Sequence, residues 1–507
     1  MRAGPQGAGA RELLGIDARS LGLFRIGIGL SLLAVLATYA GRYHSVAALD
    51  GALALGTAAG WAGSERALYL LPFRVGAGLF ADLLPLALAL LATGLALGYR
   101  ARACASGSWL LLACLHVRNP AVVDFGDDLL LRLLFWSQFL PLGARFSLDA
   151  RSGRGGAPAR GSVLSAASAA LLLQFATLYF VAGNTKTGAD WVPDATAIAY
   201  VLQERYLARS PSEWLLGFPT LVTLLSRFTP LWEVSLPFLL FSPIATAPVR
   251  TLAVASVWAF HLGLALFLYL GAFPLVCLSG ACAFLPAWFW ERALPRGLRV
   301  AARSEAGPGP RRAPGPLARA GAAAGQALAA ALALLMLLLA ASMLCERVPL
   351  PPAARRLGEA LPLSQPWDMF APNVEHRTGW IVMPGRLADG RWVDLSREGA
   401  PLRFDMPDEL PWAHENYRFA LLLDKGREAP REVGRDLVAW ACRRWNQEHP
   451  PAERLVEIEL NWLWVPIAPH ASPAPASPPN RLRSVVAVCP APRASGTLAA
   501  GLPRAGR

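Results

Sequence analysis

Tyr179-Phe-Val-Ala-Gly-Asn-Thr-Lys-Thr-Gly-Ala-Asp-Trp191 ends a long apolar run and begins a polar one. The run itself, residues 163–182, is long enough to cross a bilayer as a helix, which takes ~20 residues. Lys186 follows it. Only Lys186 and Lys425 are lysines, and all other basic side chains of this strongly basic chain are arginine or histidine. An arginine would anchor a membrane boundary equally well, so Lys186 reads in two ways. It is an interfacial anchor whose ammonium snorkels to water, or a desolvated amine that can give up its proton and act as a base. The residues alone leave both open.

Outward from this stretch, apolar runs recur at residues 21–40, 80–97, 103–115, 127–142, 230–247, 252–271, 273–290 and 326–345. With 54% hydrophobic residues, the pattern predicts an all-α polytopic membrane bundle of about eight or nine transmembrane helices. A small extracytoplasmic α+β domain is expected to follow it. The first run lacks a small-residue cleavage site and reads as a retained helix. A net charge of +13 raises nucleic acid as a partner, but the arginines cluster between apolar runs and form no continuous basic face. The expected partner is the lipid bilayer, with no nucleic acid. Placing the N-terminus in the cytoplasm keeps Arg100, Arg102, the 145–160 loop, Arg250 and the 292–319 stretch inside, as positive-inside bias requires. The expectation is a multi-pass protein of the cell (inner) membrane whose C-terminal domain is extracytoplasmic. Its divisions are a transmembrane domain at 1–300, a basic linker at 301–325, a last helix at 326–345, the α+β domain at 346–470 and a disordered tail at 471–507. None of the seven cysteines has metal-type spacing. Cys442 and Cys489 could pair in an extracytoplasmic domain, although Cys489 falls in the expected tail.

Ionisable groups inside apolar runs are costly and face a partner, the bundle interior or a cavity. Asp128 and Arg132 are spaced to pair on one helix face. Arg25 either snorkels or serves a carboxylate. Glu233 can balance Lys186 or Arg227. His261, in Val257-Trp-Ala-Phe-His-Leu-Gly263, is too deep to reach water along its helix. It is either satisfied by a neighbouring hydroxyl or carbonyl, or it lines a polar pocket.

Several motifs occur together in order: Leu21-Gly-Leu-Phe-Arg-Ile-Gly-Ile-Gly29, Leu97-Gly-Tyr-Arg-Ala-Arg102, Phe146-Ser-Leu-Asp149, the Lys186 stretch and His261. In these the chain resembles the family of vitamin K-dependent gamma-glutamyl carboxylases and their bacterial relatives, the horizontally transferred transmembrane (HTTM) domain proteins. The resemblance covers roughly residues 12–295. It implies that Lys186 is the catalytic base that deprotonates a reduced quinone of the vitamin K or menaquinol type. Oxygen and carbon dioxide would be co-substrates, and a glutamate or related acid on the outer face would be carboxylated. By the same resemblance His261 belongs to the pocket, and Glu233 and Trp191 are candidate pocket residues with it. The chain departs from the family at one place. Carboxylases carry an Asn-His pair before the fourth helix, where this chain has Gly126-Asp127, or Asn119 a little earlier. An ionised aspartate cannot donate to an oxyanion.

Leu363-Ser-Gln-Pro-Trp-Asp-Met-Phe-Ala-Pro372 resembles an element of the bacterial members. Residues 379–394 read as two strands around Ala-Asp-Gly, residues 433–445 as an amphipathic helix and residues 455–464 as a strand. His376, His414 and His449 lack metal-ligand spacing. Three functions compete: a quinol-dependent carboxylase-like enzyme, a non-enzymatic quinone- or lipid-binding, immunity or signalling protein, and a transporter. The last is disfavoured by the absence of inverted repeats.

Overall fold

The computed structural model describes residues 5–155, 161–293, 316–345, 348–364, 366–407, 417–469 and 479–489. Among the described residues the main helices of the bundle are α1 Ala18–Tyr39, α2 Ala77–Leu97, α3 Ala101–Arg118, α4 Phe125–Ser137, α5 Ala166–Thr185, α6 Pro219–Leu240, α7 Thr246–Phe267, α8 Phe273–Ala281 and α9 Pro316–Leu344. Among the described residues, five of these (α1, α2, α5, α7 and α9) are long and apolar enough to cross a membrane. The expected count of eight or nine spans therefore exceeds what length and hydropathy support. Helices α3, α4 and α8 are short, with most of their residues buried against neighbours. Helix α6 begins well before the apolar run that marks it in the sequence. It buries Glu233 and exposes Leu221, Leu224, Phe228, Leu231 and Phe238 along one stripe. The last helix starts inside the expected linker. Residues 301–315 of that linker lie outside the described residues.

Helix α5 sits at the centre. A capping box opens it, with Ser165 accepting from Ser168 N and Ser168 Oγ accepting from Ser165 N. It packs against α4, α6 and α9, while α1 packs against α2 and α8. At one end of the bundle, three of the sequence motifs meet. Arg25 is fully buried and donates to the carbonyls of Leu95, Ala96 and Phe146. Asp149 accepts from Arg100 N and Ala101 N, capping α3. Gly98 turns the chain between α2 and α3 at φ +70°. Arg25 thus neither snorkels nor meets a carboxylate through these bonds; it satisfies carbonyls left open at the end of α2 and in the Phe146 turn.

The C-terminal domain contains helices α10 Pro352–Ala360, α11 Tyr417–Glu428 and α12 Arg435–Glu448. Its strands are β1 Arg377–Val382, β2 Pro384–Leu387, β3 Trp392–Asp394, β4 Ala400–Pro401, β5 Leu455–Pro466 and β6 Asn480–Val488. The long β5 pairs antiparallel with β1 and β2 end to end along one side and with β6 along the other. The region expected to form two strands around Ala-Asp-Gly therefore forms three. Only β2 and β3 make the hairpin, with Gly390 at φ +89° in its turn. Strand β6 corrects the expected disordered tail over residues 480–488, while residues 470–478 and 490–507 lie outside the described residues. Cys489, just past β6, forms a disulfide with Cys442 of α12.

The domain is docked onto the bundle by buried charge. Arg418 of α11 is fully buried and pairs through both outer nitrogens with Asp127 of α4, one contact at 2.9 Å. It also donates to Val122 O at 2.7 Å and Thr38 Oγ1 at 2.8 Å, and lies over the Tyr39 ring. Breaking a buried pair from one side leaves an uncompensated charge and costs about 3–5 kcal/mol, whereas replacing both partners by neutral groups costs far less. Arg418→Met should therefore lower the unfolding temperature of the detergent-purified protein sharply. Asp127→Asn combined with Arg418→Met should recover much of that loss, as read by thermal unfolding.

Candidate functional site

Lys186 is the residue at which α5 ends, with φ −77° and ψ 63°. Its side chain is only 3% exposed, so the ammonium does not reach water. Nζ lies 2.9 Å from Glu233 Oε2, donates to Ala182 O at 3.1 Å, and stands 5.4 Å from the Trp191 ring centroid. Glu233, on α6, is equally buried. The approach of the two helices depends on Gly183. A Cβ there would come within 2.9 Å of Glu233 Cβ and Val234 N. One helical turn of glycine-mediated contact thus sets the carboxylate against the amine. In this geometry the Lys186 amine is paired with Glu233 and is buried.

Tyr179 lies seven residues before Lys186 on α5, about two turns deeper and on nearly the same face. Its hydroxyl is 2.8 Å from His261 Nε2. Trp232, adjacent to Glu233, meets the Tyr179 ring edge-on at 5.6 Å and lies 4.4 Å from the Phe260 ring. His261 is 1% exposed, and its Nδ1 has no hydrogen-bond partner among the described residues. The histidine is therefore half satisfied, by a hydroxyl as the sequence suggests, and retains one open ring nitrogen. Phe273 and Phe260 flank it.

The loop after Lys186 is covered by the segment that contains the second recognisable motif. Thr185 Oγ1 donates to Trp367 O at 3.4 Å, Gly188 N to Pro372 O at 2.9 Å and Trp191 Nε1 to Phe370 O at 2.9 Å. A Cβ on Gly188 would collide with Asn373 and Pro372, so glycine permits this contact. Asp190 fixes the far side. Its carboxylate accepts from Val374 N at 3.0 Å and lies 2.9 Å from His376 Nε2, whose ring stacks on Tyr200. Trp367 itself is fully buried, 5.0 Å from the Arg132 guanidinium. Arg132 pairs with Asp128 at 3.3 Å, the pairing read from the sequence, and also donates to Ser364 O at 2.7 Å.

The other two sequence-expected pocket residues are engaged elsewhere. Asp127 is committed to Arg418 and to the N-terminus of α4, where its carboxylate accepts from Asp124 N. Asn119 donates to Val46 O at 2.6 Å and accepts from Ala121 N. These contacts hold loops of the bundle and the C-terminal domain, and none of them is with Lys186, Glu233 or His261. Among the described residues no cluster of His, Cys, Asp and Glu could hold a metal ion, and His414 lies outside them. Sequence reasoning missed Arg418, Tyr179 and Asp190 as partners. Tyr179 and Asp190 stand inside the quoted Lys186 stretch, whereas Arg418 has no sequence signal beyond its charge.

This arrangement can exchange a proton between a buried amine and a buried carboxylate without changing its net charge. It also presents an open histidine nitrogen two turns deeper. Residues 79–288, which contain all of these bundle residues, match the family model described as the HTTM domain. No curated protein and no solved structure matches the chain.

The cover is also held by Glu204, in the loop between α5 and α6, which accepts from Thr378 Oγ1 of β1 and from Tyr206 N, each at 3.3 Å. Burial, with Glu375 and Asp424 nearby, raises its acid to about 7 from 4.5. A raised folded value means that the folded protein holds this proton longer than the unfolded chain does. Its contribution is therefore present below about pH 4.5 and is lost as pH rises to about 7. Glu204→Gln should remove this part of the decline in thermal stability between those pH values, measured by unfolding at a series of pH.

Proposed function

We propose that this chain, which carries over residues 79–288 the HTTM domain of vitamin K-dependent carboxylase-like proteins, is a membrane enzyme driven by a lipidic quinol. In this reading it couples oxidation of the quinol by oxygen to removal of a proton from a glutamate γ-carbon or a related acid. The resulting carbanion takes up carbon dioxide. The observation that carries the reading is the buried Lys186–Glu233 pair at 2.9 Å.

A quinol, when bound, would supply through its reaction with oxygen a base stronger than any side chain. The protein's share is to start that chemistry. When Glu233 takes the Lys186 proton, the charged pair becomes an amine and a carboxylic acid, neutral in a site that tolerates isolated charge poorly. The amine of Lys186 can then accept a phenolic proton. The open Nδ1 of His261 offers a hydrogen bond to a polar head group entering between α5 and α7. Trp191 and the 367–376 segment exclude water from the amine. A quinol would come from the bilayer and the acid from the outer aqueous side.

The orientation belongs to the same proposal: N-terminus in the cytoplasm of a bacterial inner membrane, C-terminal domain outside. The basic loops support it, and so does the Cys442–Cys489 disulfide, since such bonds persist in oxidising compartments. The second reading, a quinone- or lipid-binding protein without catalysis, draws on Asp127. The residue standing where carboxylases carry their Asn-His pair is committed to Arg418.

The test is oxygen-dependent consumption of a reduced quinone by the purified protein with labelled bicarbonate present. Lys186→Ala should cut turnover by about 100-fold or more, the usual contribution of a general base, while the protein stays folded. Lys186→Arg should not restore it, because a guanidinium keeps its proton. Unchanged turnover in Lys186→Ala would refute the base assignment, and quinone co-purifying with no oxygen uptake would favour the binding protein.

A further inference from the structure

A polar cavity of about 200 Å³ lies between the short helix Leu55–Arg66, α3 and the start of α4. His116, Arg66, Asp128, Trp61 and Tyr69 line it, and Pro362 of the C-terminal domain closes one side. None of the residues assigned above to proton transfer or quinol binding belongs to it. His116 is 6% exposed, yet neither of its ring nitrogens has a hydrogen-bond partner among the described residues. A neutral imidazole has one donor and one acceptor, and leaving both unmade in a buried position is costly. His116 is part of the lining of this cavity.

The charge around it selects the ligand. Asp128 is already paired with Arg132 at 3.3 Å. Arg66 donates through Nε to Glu359 O at 3.0 Å and, among the described residues, makes no ion pair. Among the described residues the lining therefore has one positive charge without an ion pair, a fork whose geometry suits a carboxylate. Trp61 and Tyr69 provide aromatic walls. Tyr69 OH donates to Ala360 O at 2.8 Å, so both Arg66 and Tyr69 are tied to the end of α10. The cavity thus lies where the C-terminal domain meets the bundle.

We propose that this cavity binds a small organic monocarboxylate, its carboxylate on Arg66 and His116 and its apolar body against Trp61 and Tyr69. The paired Asp128 carboxylate beside it selects against ligands of higher negative charge. The proposal stands apart from the chemistry at Lys186 and holds whether or not that site is catalytic.

Benzoate is a suitable probe, with benzamide as its neutral isostere and inorganic phosphate as a more highly charged anion. Calorimetric titration of the full-length protein in lipid nanodiscs should show saturable binding of benzoate, with benzamide and phosphate at least tenfold weaker. Arg66→Met, at a partly exposed position, and His116→Phe, which fills the cavity, should each weaken benzoate at least tenfold. If His116→Phe does not fold, Arg66→Met decides. Absence of saturable benzoate binding to folded wild-type protein would overturn the proposal, as would undiminished binding in Arg66→Met.

Discussion

The structure turns on a lysine and a glutamate held together out of water. In a low-dielectric interior neither charge is tolerable alone, and each is kept by the other at 2.9 Å. Much of the surrounding structure serves that one contact. Gly183 lets α6 come close enough to bring Glu233 alongside, and the end of α5 at Lys186 aims the amine sideways across the helix terminus. The Trp191 loop and the segment from Trp367 to His376 then seal it from above. A side chain meant only to mark the membrane surface would need none of this enclosure.

The C-terminal domain is consequently part of the site and not an appendage. Two of its contacts with the bundle contrast in kind. One is electrostatic and deep, Arg418 against Asp127, with Tyr39 beneath the guanidinium. The other is largely backbone, the 367–376 segment bonded to the loop that begins at Lys186. The apolar core is continuous from the bundle into this domain. A continuous core with buried charge at the joint favours one docked arrangement, because sliding the domain would strand Asp127 and Arg418 together. At the opposite end of the bundle Arg25 plays a comparable part, donating to the carbonyls of Leu95, Ala96 and Phe146.

How much of this could be read in the sequence depends on the kind of interaction. The central helix, the lysine at its end and the histidine on α7 were legible because long apolar runs expose any polar interruption. The Asp128–Arg132 pair was legible because a four-residue spacing on a helix is local. The sheet was only partly so: β5 alternates clearly, and the break between β1 and β2 at Met383 is marked by Pro384-Gly385, a breaker inside what reads otherwise as one strand. Strand β6 was hidden because Pro, Ala and Ser dominate the residues before it, and its stability comes from pairing with distant β5 and from the disulfide. Arg418 was illegible for the same reason. Its partners lie 291 to 380 residues away, and a single arginine in a polar stretch does not announce burial. The expected span count goes beyond the five long apolar helices among the described residues because α4 and α8 are short and shielded by their neighbours.

With only two lysines in the chain, nitrogen NMR of protein labelled with 15N-lysine resolves the central claim directly. The account predicts that Lys186 Nζ gives an ammonium signal in the wild type, held by the Glu233 carboxylate. In Glu233→Gln the buried amine, left without a counter-charge, should shed its proton and move to the amine position at neutral pH, while Lys425 stays an ammonium. An ammonium signal from Lys186 that is unchanged in Glu233→Gln, and open to amine-modifying reagents in both proteins, would show a solvated anchor and contradict the account.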